Sequence, residues 1–192
     1  MPLKFAANLA WLFTEVPLLE RFAAARHAGF QHVELVHPYD IPAEDLRAAL
    51  DRTGQELVLA LLPCGRWAEG ERGIAADPGR VAEFRAGVRT AAAYAHLLGI
   101  PRLNCMAGRS LPGCPRRLQV ETMVENVRFA ADVLAEQGVK VVIEHVNPYT
   151  IPGFLLTRVG EVLEVIAEAK RPNVFLQYDI YHAQRMEGEL AA

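Results

Sequence analysis

Cysteine is scarce in this chain. Only Cys64, Cys105 and Cys114 occur in 192 residues, and no two form a C-x-x-C pair, so neither a disulfide framework nor a zinc cluster is indicated. Cys105 reads as strand core, and the protein as reduced, intracellular and cytoplasmic. An excess of either charge is missing too. The 23 acidic and 20 basic residues are scattered along the chain and leave a formal charge of −3, which argues against a nucleic-acid surface or an anionic-membrane partner and favours a small, weakly charged ligand. No apolar run approaches the length of a membrane span. The opening MPLKFAANLAWLF carries one Lys and meets Glu15 before any long apolar stretch, which makes it a poor signal peptide. Neither G-x-G-x-x-G nor a Walker-type G-K-[ST] occurs, and the loop Gly70-Glu71-Arg72-Gly73 lacks the dinucleotide spacing. Low-complexity tracts and an interdomain linker are also absent, so residues 1–192 are expected to form a single domain.

What the sequence does contain is one recurring phrase: a helix-like segment, a glycine, then an apolar run. It appears as AGFQHVELV, TGQELVLALL, LGIPRLNCM and QGVKVVIEH, with Gly29, Gly54, Gly99 and Gly138 at the position where a helix ends before the chain re-enters a sheet. Helix starts are marked by Pro17, by Asp77-Pro78 as an N-cap followed by the first helical residue, and by Thr157 as a cap; Pro172 closes the last helix. With the opening run, this predicts strands at about 4–10, 32–36, 56–62, 102–107, 139–146 and 174–181, separated by five helical segments, with ends uncertain by about 2–4 residues. Strict alternation with apolar strands means a parallel sheet covered by helices, either doubly wound or a (β/α)8 barrel. Functional-looking residues at the ends of several strands favour the barrel.

Two of these runs end in an acid. VKVVIEHVN carries Glu144 and VFLQYDIYH carries Asp179, each after a stretch too apolar for a surface. In a β-α-β unit parallel strands open on the same side, so the two carboxylates are expected to share one mouth. With His182 a short step beyond Asp179 along the same strand, they suggest an oxygen-rich site for a divalent ion, Mg2+ or Mn2+. The competing reading is that Glu144 is half of a structural ion pair, Asp179 a loop cap and His182 a satisfied structural histidine.

The stretches FAANLAWLF, VELVHPYD, GERGIA, VNPYTIPGF and above all QYDIYHAQRMEGEL resemble the hydroxypyruvate isomerase family, one of the xylose-isomerase-like barrels, with a closely similar branch that isomerises 2-oxo-tetronates. The resemblance runs from Lys4 to Leu190. It implies a TIM (β/α)8 barrel, a small hydroxy-carbonyl acid as substrate, and isomerisation of hydroxypyruvate to tartronate semialdehyde. It also implies a divalent ion held by acids at the ends of the fifth, sixth and eighth strands, with a Gln or His from the seventh. Glu144 and Asp179 match the first two. A barrel of this kind takes about 250 residues, so about six of its eight βα units are expected here. The family's second catalytic Glu has no counterpart before Ala192, so the 192-residue chain by itself is expected to bind metal weakly and to isomerise hydroxypyruvate poorly or not at all. Sheet edges at the first and sixth strands would leave room for a homo-oligomer. Two other readings remain open: an epimerase or endonuclease-like member of the superfamily, and an inactive binding or regulatory chain.

Such an isomerisation needs a base, a stabiliser for the enediolate and a cation for the substrate carboxylate. Glu144 is the candidate base and ligand, Asp179 a ligand, and His182 a hydrogen-bonding partner for a substrate oxygen. Arg72 or Arg109 could meet the carboxylate; the alternative for Arg72 is pairing with Glu71. Asn8 could bond a ligand or only its own turn. Trp11, Phe13 and Trp67 are read as pocket walls or core. His27, His32, His96 and His145 are read as surface or packing residues, and His37 as ambiguous.

Overall fold

The protein is described here by a computed structural model in which residues 3–188 and residue 190 are placed. Six strands alternate with helices in chain order: β1 (Ala6–Asn8), α1 (Leu18–His27), β2 (His32–Leu35), α2 (Ala43–Thr53), β3 (Glu56–Leu61), α3 (Val81–Leu98), β4 (Arg102–Asn104), α4 (Arg116–Ala135), β5 (Lys140–Glu144), α5 (Val159–Ala169), β6 (Val174–Gln177) and α6 (Ile180–Met186). A short 3-10 turn, Trp67–Glu69, follows β3. The strands lie side by side as β1-β2-β3-β4-β5-β6, every neighbouring pair parallel, as right-handed βαβ crossovers require.

The core lies between sheet and helices. Val33, Leu35, Leu57, Leu103, Val141 and Ile143 on the strands are buried against Phe22, Leu46, Leu50, Val88, Met123, Leu134 and Val162 on the helices. Helix ends follow the expected chemistry where the chain must reverse: α3 stops at Gly99, whose φ of 71° is left-handed and whose N–H donates to the Ala95 carbonyl.

Three local expectations need correction. Asp77-Pro78 does not start α3. Asp77 Oδ1 accepts from the Gly79 N–H at 2.8 Å and its carbonyl accepts from the Arg80 N–H at 3.1 Å, forming a turn that delays the helix to Val81. Nor does Thr157 cap α5: the Glu161 carboxylate reaches back to accept from the Thr157 and Arg158 N–H groups, at 2.7 and 3.1 Å. The run at 174–181 is not one strand. β6 ends at Gln177, and Asp179, whose Oδ1 accepts from the His182 N–H at 2.9 Å, is the N-cap of a sixth helix. His182 therefore sits on α6, and Asp179 caps that helix rather than a loop.

Candidate active site

The C-terminal ends of the strands surround a cavity of about 390 Å³, lined among others by Asn8, Glu34, Asn104, Glu144, Asp179 and His182. This is the side on which parallel-strand enzymes place their chemistry. Glu144 ends β5 beside Gln177, the last residue of β6. Glu144, Asp179 and His182 each offer a ligand atom, all within 4.8 Å of one another. The two carboxylates expected to share a mouth do share it.

Neutral amides hold Glu144. Asn104 Nδ2 donates to its Oε2 at 3.2 Å and to Gln177 Oε1 at 2.9 Å, while Gln177 Nε2 donates to Glu144 Oε1 at 3.1 Å. No cation neutralises it among the described residues, so the ion-pair alternative fails. Burial, reinforced by the negative charge of Asp179, pushes its carboxyl up to about 7, against which the two amide donors pull. Two acids this close repel one another, and a hard divalent cation between them would relieve that repulsion; the donor set fits such an ion.

Glu34, from the middle of β2, lines the same cavity. Sequence reasoning missed it. Burial raises its carboxyl above the ordinary range; Arg102 opposes the shift and Asp179 adds to it. The signal was the one that revealed Glu144, an acid inside an apolar run, here VELV.

Arg72 also reaches the cavity. Its guanidinium stacks 3.9 Å from the Trp67 ring, and Nη1 donates to the Trp67 and Glu71 carbonyls at 3.0 and 2.7 Å. It does not pair with the Glu71 side chain. That carboxylate bonds Arg80 at 2.7 Å, and this partner chiefly pushes Glu71 down to about 2. Arg109 lies elsewhere: it lines a separate cavity with Asp77 and Arg80 and bridges to Phe154, so it is not brought to the carboxylates. Asn8 closes its own turn, its Oδ1 accepting from the Ala10 N–H at 3.0 Å, yet still borders the cavity.

Trp11 and Trp67 wall the cavity, whereas Phe13 packs edge-on against Phe30 and belongs with the core. His145 is fully buried. Burial and the neighbouring His182 lower its basicity, and its ring packs 6.3 Å from that of His182. His37 lines an adjacent cavity with Asp40, and His32 sits 3.5 Å from Glu56. Cys105 is fully buried, its thiol pushed up to about 12 by burial, as a core residue should be. Among the described residues no helix is long and apolar enough to cross a membrane.

Known proteins share both the fold and much of the sequence. Hydroxypyruvate isomerase of Escherichia coli (strain K12) is 45% identical over 188 residues, which cover 98% of this chain and 73% of that protein. A 2-oxo-tetronate isomerase of Haemophilus influenzae is 42% identical over the same length, with the same coverage. The crystal structure of an AP endonuclease, family 2, from Brucella melitensis superposes with a TM-score of 0.95 at 44% identity, covering 99% of this chain and 73% of that one. The family model of the xylose isomerase-like TIM barrel matches residues 22–192. With six parallel βα units and this degree of likeness, the chain belongs to the xylose isomerase-like TIM barrel family.

Proposed function

We propose that residues 1–192 supply six βα units of a single xylose-isomerase-like barrel domain, and that this domain is a metal-assisted isomerase interconverting hydroxypyruvate and tartronate semialdehyde. The observation that carries this reading is the 45% identity, over nearly the whole chain, to a hydroxypyruvate isomerase. A 2-oxo-tetronate is the alternative substrate, supported by a relative at 42% identity. Both are small hydroxy-carbonyl acids, and both isomerisations move a carbonyl between adjacent carbons.

Glu144 is the base. It removes the proton from the carbon that bears the hydroxyl, giving an enediolate, and returns it to the neighbouring carbon, while the hydroxyl proton passes to the former carbonyl oxygen so that carbonyl and hydroxyl exchange places. Without a bound ion, burial and the charge of Asp179 raise its carboxyl to about 7, which makes it a stronger base than an ordinary carboxylate. Glu144 and Asp179 are the ligands for a divalent ion, Mg2+ or Mn2+, which when bound supplies Lewis-acid stabilisation of the negative charge on the substrate oxygens. His182 donates a hydrogen bond to a substrate oxygen. Arg72, fixed by its stack on Trp67, meets the substrate carboxylate, and Asn8 adds a polar contact at the rim.

The test is incubation with hydroxypyruvate, or with a 2-oxo-tetronate, in deuterated buffer with and without Mn2+, followed by NMR. Conversion or deuterium uptake that needs the metal is expected with one of the two. Neither conversion nor uptake with either substrate, at saturating metal, would end this reading.

A further inference from the structure

His182 is grouped by geometry with two carboxylates, and its ring could serve the site in two incompatible ways: a nitrogen lone pair can bind a cation, whereas an N–H can donate to a substrate oxygen. A neutral imidazole offers one of each, and the partner of one nitrogen decides what the other presents.

That partner is Asn147, a fully buried residue of the loop after β5. Its Oδ1 accepts from the Tyr149 and Thr150 N–H groups at 3.1 and 2.9 Å. Turning the amide over would set two N–H donors against an NH2 group, so the amide orientation is fixed by its own turn. Its Nδ2 then lies 2.6 Å from His182 Nδ1. The Asn147 backbone N–H approaches the same ring atom at 3.4 Å. With two donors converging on Nδ1, that atom has to be the acceptor, and the ring proton is left to Nε2.

We propose that Asn147 is a positioning residue that selects the Nε2–H tautomer of His182, making the ring a hydrogen-bond donor to the substrate and removing it from the set of metal ligands. The ion is left with Glu144 and Asp179 as its ligands among these three side chains. The role in turnover rests on the isomerase reading given above; the tautomer itself does not.

The test is long-range proton–nitrogen correlation NMR of the metal-free, nitrogen-15-labelled chain, with His182→Gln identifying the ring. The expected result is a pyridine-type Nδ1 and a pyrrole-type Nε2. Asn147→Asp keeps an acceptor for the Tyr149 and Thr150 N–H groups but replaces the donor facing Nδ1 by a second acceptor, so the two nitrogen signals should exchange character. In the same variant, kcat/KM for hydroxypyruvate should fall about 10–100-fold, the loss of one strong hydrogen bond. A wild-type ring protonated at Nδ1, or an Asn147→Asp ring with an unchanged pattern, would overturn the proposal. Should the variant fail to fold, the wild-type spectrum alone decides. Lack of turnover with a correct spectrum would count against the isomerase reading and leave the tautomer assignment standing.

Discussion

Glu144 is gripped on both oxygens by the side-chain amides of Asn104 and Gln177, yet it sits beside Asp179 in a cavity that disfavours its charge. Because its carboxyl titrates near 7 when folded and at about 4.3 in an unfolded chain, the folded metal-free protein holds more protons between those values. This contribution to stability is therefore complete below the unfolded pKa and is lost as pH rises through about 7. Urea titrations of metal-free protein from about pH 5 to 8 should show the decline, and Glu144→Gln should flatten it. Asn104→Leu should cost about 1–3 kcal/mol by stranding its buried partners, again read from urea midpoints. The shared place of Glu144 and Asp179 was legible in the sequence, because parallel βα units bring the C-terminal ends of their strands to one side. Glu34 obeys the same rule and was passed over because no second feature drew attention to VELV. The tautomer of His182 was beyond reach, since it depends on a hydrogen bond between residues 35 apart.

The loops above β3 and β4 touch through two glycines. A Cβ on Gly73 would lie 2.4 Å from the Met106 carbonyl oxygen, and one on Gly108 would lie 2.3 Å from that of Gly73. The first loop carries Arg72. Gly73→Ala is expected to cost about 1–3 kcal/mol in unfolding free energy and to weaken substrate binding more than turnover; an unchanged urea midpoint would show that the loops can separate freely. At this level the alternation of elements was readable, since the glycine-marked helix exits are cues local in sequence. Boundaries were less so. The apolar character of VFLQYDIYH says nothing about where hydrogen bonding stops, and Asp179 switches the chain from strand to helix by bonding a backbone N–H three residues on. Asp77 misled for the related reason that its oxygen closes a turn at Gly79 rather than opening α3.

The six-stranded sheet has β1 and β6 at its two edges, and apolar side chains are exposed there: Phe5 is 70% and Phe175 43% accessible. Unpaired strand edges with exposed aromatic groups favour pairing with another strand, so a polypeptide of residues 1–192 alone is expected to show self-association that grows with concentration in sedimentation. Substituting Phe175 by Lys should reduce it. A strictly monomeric protein across the accessible range would contradict this. Parallel order followed directly from the βα repeat. The proposed isomerisation turns on a proton transfer by Glu144 with the help of a metal held beside Asp179. It is tested most directly by deuterium exchange from solvent into the hydroxyl-bearing carbon of hydroxypyruvate, comparing the native chain and Glu144→Gln with and without saturating Mn2+, after subtracting the buffer rate. Exchange should require both the metal and Glu144, falling by about 10²–10⁴ in the variant; equal exchange in the two proteins, or exchange indifferent to metal, would show that Glu144 is not the metal-assisted base.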